Sequence, residues 1–281
     1  STFDVWHVTA QDVNFWPISA HTKVILTIHD LNFLIEAKTE SRRQRRLKRL
    51  QRRVDRANYI TTISNFSASE IRKHLVVKGK TIQVIYNGGV DESQKNKVGS
   101  KPDFKSIDSK FLFSIGVVKP KKNIHVLLPL IANLEEYKLV ISGDDKDQYA
   151  SEVRQEIYRL GIEDRVVMTG NVSDEERHWL YSNCSAFLFP SLAEGFGLPA
   201  IEAMSYKKPV FLSKATSLPE IAGELGFYFD SFESESMLNT FNKGMATFIS
   251  DSNYADKLKS RAEYFNWVKS AKEYHDLYEK I

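Results

Sequence analysis

Hydrophobic residues in this chain fall into short runs, each ending in a polar or glycine-containing turn, with amphipathic stretches between them. The runs are KVILTIHD, NYITTIS, TIQVIYN, KFLFSIG, YKLVISG, DRVVMTG, SAFLFPS and KPVFLS. Apolar runs of strand length separated by helix-period segments predict βα units and a parallel sheet, hence an α/β fold. Ligands of open α/β sheets gather at the carboxyl ends of the strands, so His29, Ser64, Asn87, Gly116, Gly143, Gly170 and Ser191 mark candidate clefts.

The pattern breaks at DESQKNKVGSKPDFKSIDS, residues 91–109, which is polar, contains Gly and Pro, and lacks an apolar period. This predicts a first Rossmann-like domain over residues 1–92, a linker over 93–109, a second Rossmann-like domain over 110–262, and a C-terminal helix over 263–281 that packs back toward the first. Only three clear strands and an amphipathic start precede the break, so the first domain is expected to be abbreviated at its N-terminus.

At 281 residues, with 42% hydrophobic and 27% charged residues, the chain has room for two domains and the composition of globular protein. No run approaches the roughly 18 apolar residues of a membrane span, and STFDVWHVTAQDV lacks the basic and apolar regions of a signal peptide. The single cysteine, Cys184, lies in the apolar run CSAFLFP and is expected to be a small buried thiol. Together these predict a cytoplasmic location.

The net charge of +3 conceals a local excess. Lys38, Arg42, Arg43, Arg45, Arg46, Lys48, Arg49, Arg52, Arg53 and Arg56 stand against only Glu40 and Asp55. Such a helix suits peripheral contact with an anionic membrane, or a phosphate-bearing acceptor. The alternative is a solvated face, with Leu47, Leu50 and Val54 turned to the core. No aromatic residue is interleaved with the basic ones, which argues against nucleic acid.

Chemistry concentrates in PSLAEGFGLPAIEAMSYKKPVFLS, which starts at Pro190. A strand ends, a loop follows, and Pro199 stands where a helix can begin. Gly195 and Gly197 let the backbone approach a ligand and leave amides near a positive helix end. Glu194 before the turn and Glu202, expected in the first helical turn, can accept hydrogen bonds from hydroxyls on two parts of one ligand, such as a sugar and a ribose.

This block resembles the E-x7-E signature of the retaining glycosyltransferases of family 4, which have the GT-B fold of two Rossmann-like domains facing a cleft. TIHDLNFL, TTISNFSASEI, VIYNGGVD, GVVKPKKN, SLPEIAGELGFYFD and FNWVKSAKEYHDLY resemble further segments of the family, in its order and over nearly the whole chain. The subgroup most resembled uses GDP-mannose or related activated sugars in polysaccharide assembly. The resemblance implies a nucleotide-sugar donor and a glycan or lipid-linked acceptor.

Carried onto this sequence, it implies that Gly116, Lys121 and Lys122 form the donor loop, the lysines neutralising the diphosphate. Val117 stands where many members have arginine. Glu202 is implied to bind the ribose and Glu194 the sugar ring, with backbone amides from Gly195, Phe196, Gly197 and Leu198. Val172 falls in the segment that cradles the base. His29 is implied to position the sugar hydroxyls rather than abstract a proton, so the catalytic set is His29, Lys122 and Glu194. No cofactor and no metal are expected. Asp145 and Asp147 of DDKD follow a strand where aspartate serves as a helix cap, which accounts for them without an ion.

Two other readings compete. One is a non-catalytic nucleotide-sugar-binding or regulatory protein with a truncated acceptor domain. The other is a GT-B-like epimerase, whose acid and base groups have no evident place in this sequence, or a phosphorylase, which in its cofactor-dependent class would require a Schiff-base lysine.

Overall fold

The structure is a computed structural model and describes residues 3–17, 21–89, 99–102, 107 and 110–281. Most of the expected linker, 93–109, therefore lies outside the described residues. The chain divides into two compact units, one of Ser1–Gly88, Ala193–Phe196 and Phe265–Ile281, the other of Gly89–Leu192 and Gly197–Tyr264.

In the first unit the described residues form a parallel sheet of β1 (Val5–Val8), β2 (Lys23–Ile28), β3 (Tyr59–Thr62) and β4 (Ile82–Val84), in that order. Between β2 and β3 lie α1 (Phe33–Glu36) and α2 (Glu40–Arg56), and α3 (Asn65–His74) joins β3 to β4. β2 is buried from Val24 to Ile28 because it is paired on both edges and covered on both faces, which explains an apolar run interrupted only by Thr27, whose hydroxyl is paired with that of Thr61. β1 occupies an edge of the sheet and only Val8 is fully buried, so its sequence shows no such run. Thr39 caps α2 by accepting from the Arg42 amide, and Leu50 and Val54 anchor that helix in the core with Ile28, Ile60 and Ile71.

The second unit has a six-stranded parallel sheet among the described residues: β5 (Phe111–Ile115), β6 (Lys138–Ser142), β7 (Val166–Gly170), β8 (Ala186–Phe189), β9 (Val210–Ser213) and β10 (Phe227–Phe229). Its helices are α4 (Leu127–Ala132), α5 (Gln148–Arg159), α6 (Asp174–Asn183), α7 (Leu198–Ser205), α8 (Leu218–Ala222), α9 (Ser234–Ser250) and α10 (Tyr254–Glu263). The order β10-β9-β8-β5-β6-β7 reverses where β5 meets β8, the place at which open sheets of this kind bind ligands. β10 has three residues at an edge, too short for a legible period.

The last helix, α11 (Trp267–Glu279), belongs to the first unit, where Leu277 is buried with Ile25 and Ile85. Cys184 is buried, and burial pushes its thiol up to about 12. Among the described residues no helix is long and apolar enough to cross a membrane.

Candidate active site

The reversal at β5 and β8 explains why two loops far apart in sequence meet. Gly116 leaves β5 with φ +142°, a backbone that favours glycine, and its amide donates to the Ser142 carbonyl at 2.9 Å. Val118 then donates to the Asp144 carbonyl at 2.8 Å, and the chain turns through Pro120–Lys122. The Lys121 carbonyl accepts from the Leu192 amide at 2.7 Å and from Ser191 Oγ at 3.2 Å, tying the lysine loop to the loop after β8. Lys122 runs back beside Gly116, where a Cβ would lie 3.0 Å from Lys122 Cε. Its Nζ sits 4.6 Å from the centroid of the Phe189 ring.

α7 starts after Gly197, with Leu198 and Pro199 as its first two residues. Ala200 and Ile201 donate to the Gly197 carbonyl, so the helical ladder already uses these amides, and Pro199 has none. Because α7 begins at Leu198, Glu202 lies in its second turn rather than its first, which corrects the expected placement. There its carboxylate accepts a 2.7 Å hydrogen bond from the Tyr181 hydroxyl. Burial raises the Glu202 pKa, against the Tyr181 hydrogen bond and the Arg177 charge, which lower it.

Tyr181 is fully buried, and burial followed by the Glu202 charge pushes its hydroxyl well above the usual tyrosine range. Its ring stacks on Tyr206 at 5.7 Å, and His178 Nδ1 is hydrogen-bonded to the Tyr206 hydroxyl. Sequence reasoning did not single out Tyr181, Tyr206 or His178. The available signal was the i, i+3 spacing of His178 and Tyr181 on α6, which by itself describes many helices.

Val172 is half-buried between β7 and α6, next to Ser173, which caps α6 in a reciprocal arrangement with Glu176. Of the DDKD carboxylates, Asp147 accepts from the Tyr149 amide at 3.0 Å as the cap of α5. Asp145 pairs with Arg154.

The E-x7-E block, residues 190–213, is divided between the units, with Ala193–Phe196 in the first. Within that unit Ser64 Oγ donates to the Gly195 carbonyl at 2.9 Å. A Cβ on Gly195 would lie 2.9 Å from Asp30 Oδ2 and 3.2 Å from the His29 carbonyl, so close approach is what requires glycine here. Phe196 is buried, its ring 6.0 Å from Tyr86 and 5.6 Å from Phe265. Glu194 is half-buried in the same segment. His29 donates from Nε2 to the Thr9 carbonyl at 2.8 Å, and its amide donates to Gln11 Oε1 at 2.9 Å. The first unit thus gathers His29 with Gly195, and the second gathers Gly116, Lys121 and Lys122 with the loop after β8.

Residues 100–264 match the glycosyl transferases group 1 family and residues 2–93 match Glycosyltransferase Family 4. The chain belongs to the group 1, family 4 glycosyltransferases and has the GT-B fold. It is 29% identical over 241 residues to O-antigen chain mannosyltransferase B of Escherichia coli, covering 77% of this chain and 60% of that protein. It is 31% identical over 193 residues to O-antigen chain mannosyltransferase RfbU of Salmonella typhimurium, covering 66% of this chain and 51% of that one. In both cases it spans less than two thirds of the relative's length. Among solved structures, sucrose-phosphate synthase from Thermosynechococcus elongatus superposes with a TM-score of 0.75 at 21% identity, covering 92% of this chain and 68% of that one. Anabaena HepE in complex with UDP-glucose gives 0.73 at 22% identity, covering 92% and 73%.

Proposed function

We propose that the chain is a retaining, metal-independent hexosyltransferase that moves a mannose-type sugar from a nucleotide diphosphate to a glycan or lipid-linked acceptor in surface polysaccharide synthesis. The observation that carries this reading is the tie from the Lys121 carbonyl to Ser191 and Leu192, which holds the basic loop against the start of the E-x7-E block. The mannose preference and the polysaccharide context rest on the two O-antigen mannosyltransferase relatives.

In this reading Lys121 and Lys122, with the loop at Gly116, hold the donor diphosphate, which gains charge as it departs. Cations fixed beside it therefore stabilise the transition state more than the ground state. Glu202 accepts hydrogen bonds from the ribose and Glu194 from the sugar ring. Gly195, Phe196, Gly197 and Leu198 supply backbone amides ahead of Pro199, Val172 flanks the base, and His29 positions sugar hydroxyls. The bond from the anomeric carbon to the diphosphate oxygen breaks. An acceptor oxygen forms its bond on the same face, and its proton passes to the departing phosphate oxygen. No protein nucleophile, metal or cofactor is required.

Peripheral contact with the cytoplasmic side of an anionic membrane belongs to the same reading. Arg42, Arg45, Lys48 and Arg52 of α2 are exposed, with Ile35 59% exposed on neighbouring α1. Failure to bind anionic vesicles at low salt would remove this part alone.

A calorimetric screen of GDP-, UDP- and dTDP-sugars tests the donor assignment. GDP-mannose is expected to bind, with affinity lost in Lys122→Ala and unaffected by a chelator. Absence of binding by any donor would sink it.

A further inference from the structure

α2 carries a second basic surface, distinct from the outward-facing one. Arg46, Arg49 and Arg53 fall at i, i+3 and i+7, hence on one face of the helix, and line a cavity of about 30 Å³ with Gln11, Asp12 and Phe33. Arg53 is only 9% exposed. Its Nη2 donates to Asn14 Oδ1 at 3.1 Å, while its Nη1 is buried without a hydrogen-bond partner. Arg49 Nη2 donates to the same Asn14 oxygen at 2.6 Å. Arg46 lies over the Phe33 ring at 4.6 Å.

The charges in this cavity do not balance. Among the described residues Asp12 is the single carboxylate lining it, 3.9 Å from Arg46 Nη2, against three guanidinium groups. The acceptor of both the Arg49 and Arg53 bonds is a neutral amide, which offsets none of the charge. Burial first and the neighbouring Arg49 second lower the Arg53 pKa, and the Asp12 charge opposes them without cancelling them. A buried cation with an unmet donor costs free energy that an oxyanion in the cavity would recover through charge-assisted hydrogen bonds.

We propose that Arg46, Arg49 and Arg53 form an anion site for a phosphate or diphosphate group. Guanidinium forks match phosphate oxygens in geometry, and the cavity admits only a compact head group. Gln11 links this cavity to the end of β2: its Oε1 accepts from the His29 amide at 2.9 Å and its Nε2 donates to the Asp30 carbonyl at 3.1 Å. The site thus adjoins the strand end that carries His29, and on the proposed function it gives the anionic part of the acceptor a place in the first unit.

Calorimetric titration of inorganic pyrophosphate, with a saturating nucleoside diphosphate present to occupy the donor loop, tests this. One saturable site is expected, weakened at least about tenfold in Arg49→Gln, or about 1.4 kcal/mol. Binding is expected to disappear in Arg53→Met. Arg49 is exposed, so its variant reads the site even if Arg53→Met fails to fold. Arg45→Gln, an exposed substitution outside the cavity on the same helix, should bind as the unaltered protein does.

Equal affinity in Arg49→Gln and the unaltered chain, or an equal loss in Arg45→Gln, would overturn the proposal. A soluble short-chain prenyl diphosphate that binds more tightly than pyrophosphate, and does so only with Arg49 present, assigns the phosphate to a lipid-linked acceptor. Equal affinity of the two assigns it to free phosphate. Donor affinity, measured on the same samples, should survive in Arg49→Gln. Its absence in the unaltered protein would count against the proposed function and leave the anion site standing.

Discussion

The Tyr181 hydroxyl donates a 2.7 Å hydrogen bond to Oε2 of Glu202, joining the buried face of α6 to the second turn of α7. One side chain is thereby held in place by a residue that carries no recognisable motif. Removing the hydroxyl in Tyr181→Phe should weaken donor binding by about 1 kcal/mol, roughly fivefold, through loss of one hydrogen bond. Calorimetry with the bound donor reads this directly, and an unchanged affinity would detach Tyr181 from the site.

The raised Glu202 pKa gives two pH dependences of opposite sense. If Glu202 binds the donor ribose as proposed, affinity should fall on acidification, beginning at a higher pH than an exposed glutamate would give. Tyr181→Phe should move that fall higher still, and Glu202→Gln should abolish it. Folding stability runs the other way, because the native state binds this proton more tightly than the unfolded chain. The Glu202 contribution is most favourable below the ordinary glutamate range and is lost as pH rises through its folded value. Melting curves of the unliganded protein should show that component vanish in Glu202→Gln.

Gly116→Ala separates backbone strain from the position of Lys122. At φ +142° an alanine is strained by about 1–3 kcal/mol, and its Cβ would displace the Lys122 side chain, 3.0 Å away at Cε. The variant should melt lower and bind nucleoside diphosphates more weakly, by an amount comparable to Lys122→Ala. A lower melting temperature with unchanged diphosphate affinity would remove Lys122 from the diphosphate site.

Much of this was legible in the sequence because burial on both faces leaves unbroken apolar runs. β2, β5, β6, β8 and β9 declare themselves in that way, while β3 buries Thr61 and Thr62 in place of apolar residues. β1 does not, since only Val8 of its four residues is fully buried, and β10 does not, being three residues long. The lysine loop and the E-x7-E block were each readable, but their meeting depends on β5 pairing with β8, a long-range choice that no local pattern encodes. The partners of Glu202 were hidden for a similar reason: Tyr181 lies 21 positions earlier and reads as an ordinary core aromatic. The basic run on α2 was plain, whereas its division into an outward face and a cavity face appears only once Asn14 and Asp12 are placed beside it.

The approach of Gly195 to Asp30 and the Ser64 bond to its carbonyl make this segment sensitive to small changes. Gly195→Ala introduces a Cβ 2.9 Å from Asp30 Oδ2 and should cost about 1–3 kcal/mol by overpacking. Ser64→Ala leaves that carbonyl short of its donor and also removes the cap of α3, where Ser64 Oγ accepts from the Ser67 amide at 3.1 Å, so it should cost about 2 kcal/mol. Chemical denaturation of both variants checks these values, and no change in Gly195→Ala would contradict the packing argument.

His7 should impose a further acid dependence on the first unit. Its Nε2 pairs with Thr27 Oγ1 and its Nδ1 with the Tyr278 hydroxyl of α11, both at 2.7 Å. Burial, with a smaller contribution from His29, lowers its pKa from 6.5 to about 4. The native state therefore holds a neutral ring while the unfolded chain takes up a proton, so stability is lost as pH falls from 6.5 toward 4. His7→Gln should flatten the melting temperature across that window, and an unchanged slope would assign the loss to other groups.

The most direct test of the central claim is sugar transfer itself, followed by NMR of the product anomer for the unaltered protein, Lys122→Ala and Glu194→Ala. The unaltered chain should transfer mannose from GDP-mannose with the anomeric configuration of the donor preserved. The two variants, with melting temperatures unchanged, should lose on the order of a hundredfold in turnover. Undiminished transfer in both folded variants, or a product of inverted configuration, would contradict the account.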